Sequence, residues 1–309
     1  MRRASLVLAG WCLAALAVPA LAQQPESRPF VLPGVEAFTM QSAIMGERYE
    51  LVVSLPAGYA QGPTRPWPLL LVTDGYRAFL SAQDAAVALS SEKAIDGLIL
   101  VSVGVPAESS DTLWTSRRIY EFSPPDWPMT DAFGTIVRQT CAEVQSPTGR
   151  CTGGAPDFLR FLVSEVLPLL TGRYRVDATK LGLFGVSAGG FFASWAIFQA
   201  NSPFTHYIIS SPAMAYGDGE IFRQERRYAE THTDLPVRIY MGSGSLEMEH
   251  PFLEGVGQIV SGQVRLAAAL RSRTYPGLRL FTEIHAGLSH EDNSNATLAR
   301  GIRLLYGTP

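Results

Sequence analysis

Six short runs of apolar, β-branched and aromatic residues constrain this chain more than any other feature. They are PLLLVTDG (68–75), LILVSVGV (98–105), KLGLFGV (180–186), HYIISSP (206–212), VRIYMGS (237–243) and LRLFTEIH (278–285). None alternates apolar with polar, so each reads as a strand buried on both faces rather than one wetted on one side. Helix-like stretches separate them: 78–92, 156–170, 188–200, around 219–230, 263–273 and finally 297–307. Strand alternating with helix predicts a three-layer α/β sandwich around a mostly parallel sheet. Before the first run, AFTMQSAIM and RYELVVSLP flank Gly46 and predict an antiparallel hairpin.

The run KLGLFGV leads into AGGFFASWAIF through Ser187, which is framed as Gly185-Val-Ser-Ala-Gly189. In a nucleophile elbow, a serine stands on a tight strand-to-helix turn whose neighbours must be small. The helix that follows directs its positive N-terminal end at the serine, which favours a developing oxyanion. Strand before and helix after supply the context this motif needs.

A serine hydroxyl needs a general base, and in this topology the order is serine, acid, histidine, each on a loop after a strand. Of the five histidines, His206 begins a strand, His232 precedes one, and His250 follows the acid region too closely. His285 and His290 both follow the last strand in EIHAGLSHED. His290, in the polar loop beyond the strand, is the expected base, with His285 the alternative. The preceding strand ends in MGSGSLEMEH, where Glu247 is preferred to Glu249 because it comes first after the glycine turn; its task is to hold the imidazole tautomer. The Ala188 amide and, from the turn at Asp74-Gly75, the Tyr76 amide are the expected oxyanion donors. Asp74 itself reads as a turn or cap residue.

The first 22 residues, MRRASLVLAGWCLAALAVPALA, read as a secretory signal cleaved near Ala22, with the twin arginines hinting at a folded-export route. The remainder has 287 residues (309 minus 22), taken as one domain over 23–309, and a charge of about −5 (23 basic against 28 acidic residues). That balance favours neither nucleic acid nor an acidic membrane surface as a partner. With hydrophobic residues at 47% and charged ones at 17%, the chain can bury a sizeable core. Residues 106–156 show no clear period and are expected to form an irregular lid-like insertion over the carboxyl edge of the sheet. Within it, Cys141 and Cys151 span a Pro/Gly loop and read as a disulfide in an oxidising compartment. No metal or cofactor is implied, and the expected location is periplasmic or secreted.

At these residues the chain resembles the Putative esterase (esterase D-like) family of α/β hydrolases, and within it the branch of trilactone-siderophore esterases. The likeness runs through LLLVTDG, RRIYEFSP, GGAPDFLRFLVSEVLPLL, GVSAGG, ISSPAM, MGSGSLE and GLSHED. It differs at Val186, where the family usually has histidine, and at Glu121, where it has aspartate. The resemblance implies a serine esterase with Ser187 and His290 as its catalytic pair, acting on a small-molecule ester. It also places Arg118 on a family arginine that either faces an anionic substrate group or forms a structural ion pair with Glu121. The other readings of the same chain are an acyltransferase and a catalytically silent ligand-binding relative.

Overall fold

The structure, a computed structural model, describes residues 31–61, 64–144 and 150–308. The signal segment at 1–22 lies outside the described residues, apart from which every element below belongs to the unit Pro33–Pro309. Eight strands form one sheet: β1 (Val35–Gln41), β2 (Arg48–Ser54), β3 (Trp67–Val72), β4 (Ile99–Gly104), β5 (Val176–Val186), β6 (His206–Ser210), β7 (Arg238–Gly244) and β8 (Arg279–His285). Their spatial order is β1-β2-β4-β3-β5-β6-β7-β8. The pairs β1–β2 and β2–β4 are antiparallel and the other five are parallel. The N-terminal hairpin is therefore present and the sheet is mostly parallel as expected, but the run 278–285 is not buried on both faces: β8 is an edge strand whose residues are half-buried or exposed.

The helices are α1 (Tyr76–Ser91), α2 (Asp111–Phe122), α3 (Ala132–Val144), α4 (Ala155–Phe161), α5 (Leu167–Arg173), α6 (Ala188–Ala196), α7 (Tyr216–Thr231), α8 (Ile259–Ser272) and α9 (His290–Tyr306). A wider, π-helical turn at Leu162–Val166 joins α4 to α5. Leu70, Val72, Phe184 and Ile208 of the strands pack with Phe79 of α1 and Ile302 of α9 on one face of the sheet. Leu69, Leu71, Leu183 and Ile209 pack with Phe158, Phe192 and Leu266 on the other. Alternate residues of β3 thus feed opposite cores, which is why its run is continuously apolar. Among the described residues, no helix is long and apolar enough to cross a membrane.

The segment 106–156 is not irregular as expected; it carries α2 and α3. The apolar period of α2 is hidden because Ser116, Arg117 and Glu121 are among its buried positions. Arg117 Nε donates to Glu121 Oε1 at 2.5 Å, and the Tyr49 hydroxyl donates to the same oxygen at 2.7 Å. A paired, hydrogen-bonded ion pair satisfies the core as an apolar pair would, so hydrophobicity alone misses the helix. The part after α2 is tied to α7: Asp218 accepts from Trp127 Nε1 (2.9 Å) and from the Thr130 hydroxyl (2.8 Å). Cys141 and Cys151 stand bonded, their Cα atoms 5.7 Å apart.

The chain leaves β3 for β4 on one side and, after β4, crosses back to β5 on the other. The crevice outside the carboxyl ends of β3 and β5 is thus the topological switch point, where open α/β sheets place their ligands.

Candidate active site

Ser187 stands at that crevice, between β5 and α6. Its backbone has φ 58° and ψ −115°, a conformation rare for a residue with a side chain. The turn is closed by Ser187 N–H donating to the Ser210 carbonyl (3.0 Å), while its own carbonyl accepts from Phe191 N–H (2.9 Å) and Ala213 N–H (3.0 Å). The glycines follow from sterics. A Cβ on Gly185 would fall 2.0 Å from the Gly189 carbonyl oxygen, so the strand could not meet the returning helix. Among the described residues the Ser187 hydroxyl has no hydrogen-bond partner.

His290 opens α9 and Glu247 lies in a short 3₁₀ turn, Ser245–Glu249, after β7. His290 Nδ1 is 2.5 Å from Glu247 Oε1. The other carboxylate oxygen accepts from Gly244 N–H (2.7 Å) and the Ser211 hydroxyl (3.0 Å). With its side chain fully buried, Glu247 is held by three donors: the imidazole, the Gly244 amide of its own loop and the Ser211 hydroxyl. Donation from Nδ1–H to this carboxylate leaves Nε2 as the basic nitrogen. Glu249 is exposed.

His285, the alternative base, is engaged elsewhere. Its Nδ1 is 2.6 Å from Asn293 Oδ1, and its Nε2 is 2.9 Å from the Tyr240 hydroxyl and 3.2 Å from Glu283 Oε2. Hydrogen bonds from Arg300 hold the Glu283 carboxyl down at about 2. Asn293 Nδ2 in turn donates to Ser211 Oγ (2.7 Å) and the Gly242 carbonyl (3.0 Å). A line of hydrogen bonds thus runs from His285 through Asn293 and Ser211 to Glu247. The sequence reading missed Ser211 and Asn293. The available signal was the spacing of Asn293 three residues after His290, which on a helix sets the two side chains near one face.

Tyr76 and Ala188 occupy equivalent places, each the first residue of a helix that starts beyond the carboxyl end of a strand, β3 for one and β5 for the other. The first amides of a helix have no acceptor within it and lie at its positive end. The β3 turn needs glycine: Gly75 has φ 62°, and a Cβ there would sit 3.2 Å from the Gly104 Cα.

Arg118 does not pair with Glu121, which belongs to Arg117. Its guanidinium grips Asp74 instead, Nε to Oδ1 at 2.6 Å and Nη2 to Oδ2 at 3.3 Å, and donates to the Val186 carbonyl at 2.8 Å. Arg118 thereby clamps the β3 turn to the residue before Ser187. Asp74, buried at φ 68°, is a turn residue as expected, but it also anchors this clamp. A cavity of about 550 Å³ brings Ser187 and His290 together with Asp74, Arg77, Trp114 and Arg118. The Arg77 and Arg118 guanidiniums lie 4.3 and 5.1 Å from the Trp114 ring centre, a cation–π cluster beside the serine. Among the described residues, no group of three or more His, Cys, Asp or Glu side chains is arranged to hold a metal ion.

Comparison with known proteins agrees with this architecture. The chain is 31% identical over 232 residues to the siderophore triacetylfusarinine C esterase of Aspergillus fumigatus, covering 72% of this chain and 71% of that one. It is 24% identical over 230 residues to the ferri-bacillibactin esterase BesA of Bacillus subtilis, covering 72% and 74%. In fold it is similar to the siderophore hydrolase EstA of Aspergillus nidulans, with a TM-score of 0.75 at 21% identity over 91% of this chain and 98% of that one. The fold is that of the α/β hydrolases, and the model of one family matches residues 42–273. The chain belongs to the Putative esterase family.

Proposed function

We propose that this chain is an exported serine hydrolase of carboxylic esters, acting through an acyl-serine intermediate on siderophore-type lactone esters. The observation that carries the reading is that Ser187 and His290 line one cavity at the switch point of the sheet, while Glu247 holds His290 by its other ring nitrogen. In this reading His290 Nε2 takes the proton from Ser187 Oγ as the oxygen attacks the ester carbonyl. Glu247 holds the tautomer and stabilises the imidazolium that forms. The Ala188 and Tyr76 amides receive the negative charge on the carbonyl oxygen. His290 then returns the proton to the leaving alcohol, and water, activated the same way, releases the acid. The relatives named as siderophore esterases support the substrate class. The signal-like segment and the bonded cysteines support export to an oxidising compartment. Arg118 contributes to substrate binding by shaping the cavity wall with Trp114, and the α3 region, stapled by Cys141–Cys151, acts as a lid.

The test is covalent labelling with a fluorophosphonate, alongside hydrolysis of an aryl ester and of a trilactone siderophore. Wild type is labelled; Ser187→Ala is not, and its kcat falls on the order of 10⁴–10⁶-fold. His290→Ala behaves like the serine variant, whereas His285→Ala keeps most of the activity. Equal labelling of the Ser187→Ala variant removes the mechanism.

A further inference from the structure

His290 borders two cavities. The first contains Ser187 and is walled by Arg77, Arg118, Asp74 and Trp114. The second, about 430 Å³, shares only His290 and Glu291 with it and is otherwise lined by Leu246, Phe252 and Leu253 and by the polar Glu247, His250 and Ser289. Both volumes fall in the range of small-molecule sites.

Packing accounts for only part of the second cavity's apolar wall: Leu253 rests on the main core, while Leu246 and Phe252 stay open. Leu246, Met248 and Phe252 are 48%, 55% and 40% exposed, three large hydrophobic side chains in the open within seven residues. Two of the three, Leu246 and Phe252, line the second cavity, so this exposed hydrocarbon faces a concave surface beside a polar site, where a bound group can cover it. This stretch is held in place at several points. Leu246 N–H donates to the Leu288 carbonyl (3.1 Å), Gly287 N–H donates to the Ser245 hydroxyl (2.9 Å), and His250 Nδ1 accepts from both Phe252 and Leu253 N–H (3.2 Å each). Phe252 also meets the Phe133 ring of α3, with centroids 5.9 Å apart. Glu247, in the middle of the stretch, faces inward to His290 while Leu246 and Met248 on either side face solvent. The turn that presents the acid therefore also presents the hydrocarbon surface, and both are fixed to the histidine loop.

We propose that this second cavity is a substrate subsite that takes an uncharged hydrocarbon arm of the ester, alkyl or alkenyl, with Leu246 and Phe252 as its specificity-determining residues. The proposal rests on the ester-hydrolase reading above. The occupant follows from the wall the two cavities share at His290 and Glu291: an ester whose carbonyl is at Ser187 has two guanidiniums and an indole in the first cavity, whereas the second has no Lys or Arg in its lining and offers the open side chains of Leu246 and Phe252. The substrate is thus amphiphilic about its scissile bond.

Two ester series test this, one lengthening the acyl chain from acetyl to octanoyl and one lengthening the alcohol of an acetate from ethyl to octyl. In one series kcat/KM should rise by up to about fourfold per added methylene, the factor that burying one methylene supplies. Phe252→Asp and Leu246→Asp should flatten that rise, lowering the ratio of long-chain to acetyl turnover. Leu80→Asp, at a 62% exposed residue of α1 lining neither cavity, should leave the ratio unchanged. A rise that survives both cavity substitutions, or one that Leu80→Asp flattens equally, overturns the subsite. Turnover of acetyl esters with no gain from longer chains in either series removes the subsite and leaves the esterase. Failure to hydrolyse any ester removes both.

Discussion

Replacing Glu247 with glutamine changes one atom, and the structure dictates which way the new amide must face. In the wild type one carboxylate oxygen accepts from Gly244 N–H and the Ser211 hydroxyl, while the other faces His290 Nδ1 at 2.5 Å. The Gly244 amide cannot reverse its polarity. Setting the glutamine NH₂ against it would leave two donors facing each other in a fully buried site, at a cost of about 1–3 kcal/mol. The glutamine oxygen therefore stays with Gly244, and its NH₂ faces His290. Nδ1 must then accept, so the single proton of neutral imidazole moves to Nε2, the nitrogen that receives the Ser187 proton in the proposed mechanism. Catalysis must go through the disfavoured tautomer, and the imidazolium loses its counter-charge. In the Ser-His-Asp template this exchange costs ~10⁴ in kcat, equivalent to ~5 kcal/mol of barrier. The assay is kcat and KM on an aryl ester together with the fluorophosphonate labelling rate, which depends on the same proton transfer. Both rates should fall together with KM little changed, while Glu249→Gln, at an exposed position, stays within about twofold of wild type. A folded Glu247→Gln variant that keeps activity within tenfold would refute the orientation argument and leave a Ser-His pair.

Two further perturbations test parts of the molecule away from this carboxylate. Burial pulls the His206 imidazole down to about 4 at the amino end of β6, so the folded state resists a proton that the unfolded chain takes up near 6.5. Stability is therefore complete above pH 6.5 and is lost as pH falls from there to 4, by up to ~3 kcal/mol; denaturant titrations across that window should show the loss, and His206→Phe, if folded, should flatten it. Exchanging both Cys141 and Cys151 for serine should cost just under ~3 kcal/mol, the chain-entropy estimate for so short a loop, lower Tm by several degrees, and raise KM for a bulky ester more than for an acetyl ester. Two free thiols in protein isolated without reductant, or equal effects on both esters, would count against the stapled lid.

What could be read from the chain beforehand follows the range of the interactions involved. The inner strands announce themselves because both faces are apolar, as with Leu69 and Leu71 on one side of β3 and Leu70 and Val72 on the other. The serine is marked by local sterics, since Gly185 and Gly189 must touch. The order Ser187, Glu247, His290 is set by topology, and strand order is legible. Helix α2 was hidden because a buried ion pair replaces the apolar residues that would reveal its period. The Arg118–Asp74 clamp joins residues 44 apart, and nothing local to either names the other. Ser211 and Asn293 are further apart still, and a serine after a strand looks like any loop residue until the sheet places it beneath the acid.

A common backbone device underlies the site and explains why it lies at this edge. Asp74, Ser187 and Ser211 follow three strands, β3, β5 and β6, and all have positive φ, at 68°, 58° and 42°. Such conformations cost on the order of 1–3 kcal/mol each for residues with a side chain and persist only where surrounding structure fixes them. Here the fixing comes from the next strand along. Gly75 N–H, directly after Asp74, donates to the Val103 carbonyl (3.2 Å), Ser187 N–H to that of Ser210 (3.0 Å), and Ser211 N–H to that of Gly242 (2.8 Å). Each turn is anchored to the end of an adjacent strand, β4, β6 and β7 in that order, so no turn can relax without disturbing a neighbour. The sheet interior supplies this anchorage because its strands are paired on both sides; an edge strand such as β1 or β8 could not. Ser187, the Asp74 that anchors the Arg118 clamp and the Ser211 hydroxyl that bonds Glu247 are therefore positioned by the same ladder of strand ends, which makes their spacing a property of the sheet rather than of the loops.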